Sequence, residues 1–166
     1  MDLVSKYNIP APRYTSYPTV PYWDRDPSVT EWKMHVSNCY ENSREEGLSL
    51  YIHLPFCESL CTYCACNTRI TVNHKVEAPY IDTLLKEWAL YLNLFNEKPK
   101  IKEIHLGGGT PTFFAAEQLK RLITGILETS VVSTDHDFSF EGHPGNTTSE
   151  HLQTLFDLGF RRVSFG

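Results

Sequence analysis

The sequence predicts an α/β fold with a parallel sheet, and three observations carry that expectation. Short apolar, β-prone runs alternate with amphipathic helical segments from residue 48 to 165 in the order strand, helix, strand, helix. The three polar or glycine-rich segments that stand out, 57–66, 107–111 and 141–147, each follow directly on a predicted strand, where parallel α/β folds place their sites. The 166 residues make one domain long enough for a real core and leave no room for a second complete one. Local pattern alone does not decide whether the sheet stays open or rolls into a barrel.

Residues 1–27 hold Pro10, Pro12, Pro18, Pro21 and Pro27, a density that blocks helix and central strand, so this part reads as an extended arm. A short helix is expected from Ser28 or Thr30 to about Glu45, with Trp32, Val36 and Tyr40 at near-helical spacing and Gly47 as its stop. Leu48–Leu54 is apolar and alternates poorly, the pattern of a strand buried on both faces, and Pro55 ends it. Pro79–Asn96 puts Ile81, Leu84, Leu85, Trp88, Leu92 and Phe95 on one helical face, with proline tolerated in the first turn. Ile101–Leu106 is the second strand, Gly107-Gly108-Gly109 a break, and Ala116–Glu128 the second helix, carrying Leu119, Leu122, Ile123, Ile126 and Leu127. Asp137–Glu141 is the third strand, Thr147 and Glu150 form a capping-box signature for the third helix, Gly159 closes it, and Arg161–Phe165 begins a fourth strand. The sequence stops there without a covering helix, so the expected organisation is an arm and short helix over 1–47 and an incomplete β/α domain over 48–166.

With 41% hydrophobic and 21% charged residues the composition is that of a folded, soluble chain. Fifteen Lys and Arg stand against twenty Asp and Glu, a net charge of -5, and no basic stripe forms, which argues against nucleic acid and anionic membrane surfaces as partners. No apolar run approaches the roughly 20 residues of a spanning helix, and no signal-peptide core opens the chain, so a cytoplasmic location is expected. Of five cysteines, Cys39 stands alone, as a packing residue on the first helix, while Cys57, Cys61, Cys64 and Cys66 crowd into ten residues. In a reducing compartment such crowding points to metal or redox chemistry rather than a disulfide framework. Thiolates hold iron–sulfur clusters, and three ligands from Cys57-x3-Cys61-x2-Cys64 would leave one iron of a four-iron cluster open to a small molecule. A zinc knot and a redox Cys61-x-x-Cys64 pair are the alternatives, and neither accounts as well for Cys57.

The run Cys57-Glu58-Ser59-Leu60-Cys61-Thr62-Tyr63-Cys64 resembles the signature of the radical S-adenosylmethionine superfamily. The resemblance implies a partial (β/α) barrel, here cut off after about four strands and expected to be inactive on its own, with Cys57, Cys61 and Cys64 holding a 4Fe-4S cluster. It also implies S-adenosyl-L-methionine chelated to the fourth iron and cleaved by one electron to a 5′-deoxyadenosyl radical. Pro12-Arg13-Tyr14-Thr15-Ser16-Tyr17-Pro18-Thr19, Tyr51-Ile52-His53-Leu54-Pro55-Phe56-Cys57 and Cys66 narrow the resemblance to the N-terminal part of the oxygen-independent coproporphyrinogen III oxidase family. That family decarboxylates two propionates of coproporphyrinogen III to vinyl groups, giving protoporphyrinogen IX for haem synthesis. The small-molecule substrate and an electron donor such as flavodoxin or ferredoxin are the partners it implies.

By the same resemblance Tyr51 contacts the cofactor, and Tyr63 packs near its adenine, at a position where phenylalanine is frequent. Gly107, Gly108, Gly109 and Thr110 match the segment that meets the methionine moiety, where missing side chains let backbone amides come close. A tight strand-to-helix turn would need the same glycines. Glu141 matches a carboxylate for the cofactor's ribose or amine, although Gly142 and His143 depart from the Asp or Asn frequent nearby. Cys66 is expected near the cofactor and not on the cluster, and His53 reads as a satisfied core histidine. Arg13 and Tyr14 are candidates for substrate contact, since an arginine fork suits the four carboxylates of coproporphyrinogen. No residue is assigned a catalytic proton. A haem chaperone of the same superfamily, another tetrapyrrole-active radical enzyme and a zinc-binding structural module are the rival functions.

Overall fold

The computed structural model describes residues 2–8, 22–23 and 26–166. The chain divides into two units, 1–32 and 33–166. In the first, α1 (Leu3–Tyr7) corrects the expectation of an arm extended throughout: Asp2 accepts hydrogen bonds from the Val4 and Ser5 amides and caps a single turn ahead of the first proline. The next helix, α2 (Val29–Ser43), opens on a capping box in which the Glu31 amide donates to Ser28 Oγ and the Ser28 amide donates to Glu31. It stops before Gly47, whose φ of 107° leads the chain away.

The second unit is built on β1 (Leu48–Leu54), β4 (Lys100–Gly108), β5 (Val131–Gly142) and β6 (Phe160–Phe165), all parallel and in that spatial order. Between them run α3 (Glu77–Leu92), α4 (Ala116–Leu127) and α5 (Ser149–Asp157), with α4 packed against both of the others. Sequential strand order without a reversal, with the crossovers of one hand that parallel strands take, puts all three helices on one face, where α4 packs between α3 and α5; this is the winding of a barrel rather than of a doubly wound sheet. Ile52, Leu54, Ile104, Leu106, Phe138 and Phe140 from the strands and Ile81, Trp88, Leu119, Leu122, Ile123, Ile126 and Leu155 from the helices form one core.

The first strand is not buried on both faces. Its residues alternate, with Ile52 and Leu54 buried and Ser49 and Tyr51 exposed, because helices cover only one side of the sheet. Irregularities in register keep the apolar residues in phase. Leu48 pairs with Ile101 and Ser49 with Glu103, so the extra residue Lys102 leaves Ile101 and Ile104 facing the same way, and the skip of Arg161 does the same for Phe160 and Val163. The opposite face carries aligned polar rows, Ser49 with Glu103 and Asp137, and Tyr51 with His105, Ser139 and Arg162. Ser49 donates to Glu103 at 2.6 Å and Arg162 holds Asp137 with two nitrogens.

Other boundaries shift for identifiable reasons. The glycine run does not break β4 at Gly107; the strand continues through Gly108, whose φ of 115° makes the turn. Helix α3 starts at Glu77, two residues ahead of the proline, and β5 starts at Val131 with a side loop held by Ser133 donating to Asp135. The capping box of α5 belongs to Thr148 and His151. Thr147 is engaged elsewhere, donating to the His143 carbonyl and bonded to the buried Thr112 hydroxyl. No helix among the described residues is long and apolar enough to cross a membrane.

Candidate functional site

Pro55 cannot extend the β1 ladder, and the chain restarts at once as β2 (Phe56–Cys57), which pairs in parallel with β3 (Arg69–Ile70). Residues 58–68 are therefore a loop closed at its base by two hydrogen bonds, from the Arg69 amide to Pro55 and from the Thr71 amide to Cys57. Cys57, half-buried, sits at that base, and Cys61 and Cys64 lie on the loop across a tight turn in which the Cys64 amide donates to the Cys61 carbonyl. All five cysteines are free thiols. Burial pushes the Cys57 thiol above its usual pKa, the Thr110 hydroxyl 3.3 Å away pulls it back, and Cys64 and Cys61 push it up again. Desolvation first, then Cys64 and Glu141, raises the pKa of Cys66. Cys39 is exposed on α2 and not a packing residue.

The glycine turn meets this loop directly. The Gly109 amide donates to Leu54 and the Thr110 amide to Phe56, which locks the end of β4 to the start of the cysteine loop. A Cβ on Gly109 would lie 2.6 Å from the Pro55 carbonyl, and one on Gly108 would lie 2.7 Å from the His53 ring. Close packing of the chain on itself thus accounts for two of the glycines, and the Gly108 amide is also engaged, donating to Glu141 Oε2 at 3.3 Å. Glu141, half-buried at the end of β5, brings the third sequence segment to the same rim. The convergence expected from strand order is present: Cys57, Thr110, Gly108 and Glu141 are linked by direct contacts.

On the open face of the sheet, His53 is satisfied at both ring nitrogens. The Asn67 carbonyl, which only accepts, lies 2.8 Å from Nε2, so Nε2 carries the proton and Nδ1 accepts from the Tyr51 hydroxyl at 3.1 Å. His53 thereby ties the far side of the cysteine loop to β1 and commits the Tyr51 proton, leaving the phenol oxygen as an acceptor. Tyr51 is 60% exposed and Tyr63 is 80% exposed, so both rings have free surface for a ligand. Sequence reasoning passed over His105, Ser139 and Thr112. The signal for His105 was its place two residues before Gly107, out of phase with Ile104 and Leu106. Arg13 and Tyr14 lie outside the described residues.

Among the described residues no three His, Cys, Asp or Glu side chains are gathered around a common point that would hold a metal ion. The chemistry of the donors nevertheless fits an iron–sulfur cluster: three free thiols in one loop anchored at its base, two of them across a single turn. Beside them Tyr51 and Glu141 offer acceptors of the kind an amine or hydroxyl group requires.

Known proteins resemble this chain over nearly its whole length. The sequence model of the Radical SAM superfamily matches residues 51–166. An oxygen-independent coproporphyrinogen III oxidase of Helicobacter pylori (strain J99) is 42% identical over 98% of this chain and 36% of its own length. The enzyme of that name from Escherichia coli K12 is 35% identical over all of this chain and 35% of its own. A solved structure of coproporphyrinogen III oxidase from Escherichia coli, described as a radical SAM enzyme, superposes with a TM-score of 0.82 at 32% identity, covering 98% of this chain and 35% of that one. The chain thus spans about a third of the length of the curated relatives it matches.

Proposed function

The chain belongs to the radical SAM superfamily, and from that premise we propose that it carries the cluster-binding part of an oxygen-independent coproporphyrinogen III oxidase, converting propionates to vinyl groups on the way to protoporphyrinogen IX. The observation that carries the proposal is the meeting of Cys57, the glycine turn and Glu141 at one rim, in a chain 42% identical to an enzyme of that name. Cys57, Cys61 and Cys64 would hold a 4Fe-4S cluster, and Tyr51, Tyr63, Gly108, Gly109, Thr110 and Glu141 would line the S-adenosylmethionine site. When bound, these groups supply a reducing electron, passed on from a donor such as flavodoxin or ferredoxin, and a carbon radical able to take hydrogen from the substrate.

The protein's own residues prepare that site. The Thr110 hydroxyl lies 3.3 Å from the Cys57 sulfur; once that sulfur is ionised only Thr110 can donate, which favours the thiolate that ligation needs. His53 fixes the cysteine loop through Asn67 and turns the Tyr51 oxygen into an acceptor. The Gly108 amide orients the Glu141 carboxylate beside the loop. Arg13 and Tyr14 remain the candidates for the substrate's carboxylates. The 166 residues on their own are expected to turn over nothing, so the test is anaerobic incubation of coproporphyrinogen III, S-adenosylmethionine and a reductant with this chain reconstituted within a polypeptide as long as its curated relatives. The expected outcome is divinyl product together with methionine and 5′-deoxyadenosine; cleavage of the cofactor with haem consumed and coproporphyrinogen untouched would contradict it.

A further inference from the structure

His105 occupies the middle of the polar face, on β4, with β1 on one side and β5 on the other. Its Nδ1 lies 2.8 Å from the Ser139 hydroxyl and its Nε2 3.5 Å from Glu141 Oε1. Its ring stacks on that of Tyr51, with centroids 5.9 Å apart and planes 21° from parallel. A carboxylate only accepts, so Nε2 is the donor, and in the neutral ring Nδ1 then accepts from Ser139. The other carboxylate oxygen of Glu141 takes the Gly108 amide, so one tether lies on each oxygen. The neighbouring position is tight: a Cβ on Gly107 would come within 3.2 Å of the Glu141 carboxyl and 3.1 Å of the Tyr51 ring.

We propose that His105 is a positioning residue, held by Ser139 and Tyr51, that fixes the Glu141 carboxylate in the orientation in which it receives an amine or hydroxyl of the bound ligand. The inference rests on the functional reading given above, which makes that ligand S-adenosylmethionine. A long carboxylate side chain with a single tether keeps rotamer freedom that binding must remove; the second tether removes it beforehand.

The test compares His105→Leu, which keeps bulk under Tyr51 and lacks a donor, with His105→Gln, whose amide can still donate to Glu141. Binding of S-adenosylmethionine to the anaerobically reconstituted protein is read by equilibrium dialysis, in the wild-type and Glu141→Ala backgrounds. His105→Leu should weaken binding about five- to tenfold, the scale of one ordinary hydrogen bond, and His105→Gln should recover to within about twofold. In the Glu141→Ala background His105→Leu should change affinity by less than about twofold, because its partner is gone. An equal loss in both backgrounds, or no loss in the first, overturns the proposal. If the wild-type protein binds no S-adenosylmethionine, the functional reading fails, and the ring of His105 still decides this one. Nitrogen-15 spectra of the cluster-free protein should show an Nε2-protonated ring whose signals move in Glu141→Ala, and unmoved signals overturn it.

Discussion

On the helix-covered face of the sheet Ile52, Leu54, Ile104, Leu106, Phe138 and Phe140 are buried in one core. One residue away on the same strands, Ser49, Tyr51, Glu103, His105, Ser139 and Glu141 remain at least partly exposed, and most of them hydrogen-bond to one another. The period-two alternation of a strand separates the two duties, so a change at one position bears on stability and a change at the next bears on the site. The register irregularities at Lys102 and Arg161 matter for this reason: without them a whole strand segment would exchange its faces.

The comparison is broken most directly by neighbouring substitutions on β4. Leu106→Ala removes a fully buried side chain and should cost about 2–5 kcal/mol. His105→Ala should cost about 1 kcal/mol or less, the scale of a hydrogen-bonding group on an accessible face. Urea unfolding measures both, and equal losses would mean that the two faces are not divided as described. Gly108→Ala addresses the junction between them. Its positive φ and the His53 ring 2.7 Å from a new Cβ should together destabilise by about 1–3 kcal/mol. Adding His53→Ala should return only part of that, since the backbone conformation remains; full recovery would place the whole effect in the ring contact.

Much of the covered face was legible in the sequence, because buried apolar spacing is a local signal. Leu48–Leu54 is an exact match, and Ala116–Leu127 and Phe160–Phe165 differ from expectation by one residue. The polar face was less legible, because its partners come from different strands and depend on register. Tyr51, Cys57 and Glu141 stood out by their motifs, while His105 and Ser139 meet only once β4 and β5 pair. The displaced capping box teaches the same lesson. Thr147 with Glu150 and Thr148 with His151 both have the right spacing, and the choice falls to Thr148 because Thr112, from a different segment, engages Thr147. The β2–β3 pair was invisible for want of length, two residues in each strand.

A smaller effect sharpens the account of the rim. Cys57 titrates above its usual value chiefly through burial, and the Thr110 hydroxyl opposes that shift. Thr110→Val should raise the Cys57 pKa further, so less thiolate is present at any pH below it. Alkylation of Cys57 by iodoacetamide in the cluster-free protein should then slow near pH 8, and the difference should vanish well above the pKa of both forms. An unchanged rate near pH 8 would remove Thr110 from any part in activating the thiol.

The division of the cysteines is the central claim, and iron binding after anaerobic reconstitution tests it most directly. The account predicts about four irons per chain with a brown colour, loss of the cluster in Cys57→Ala, Cys61→Ala and Cys64→Ala, and a cluster retained in Cys66→Ala. Colourless uptake of zinc, or loss of the cluster in Cys66→Ala, would contradict it.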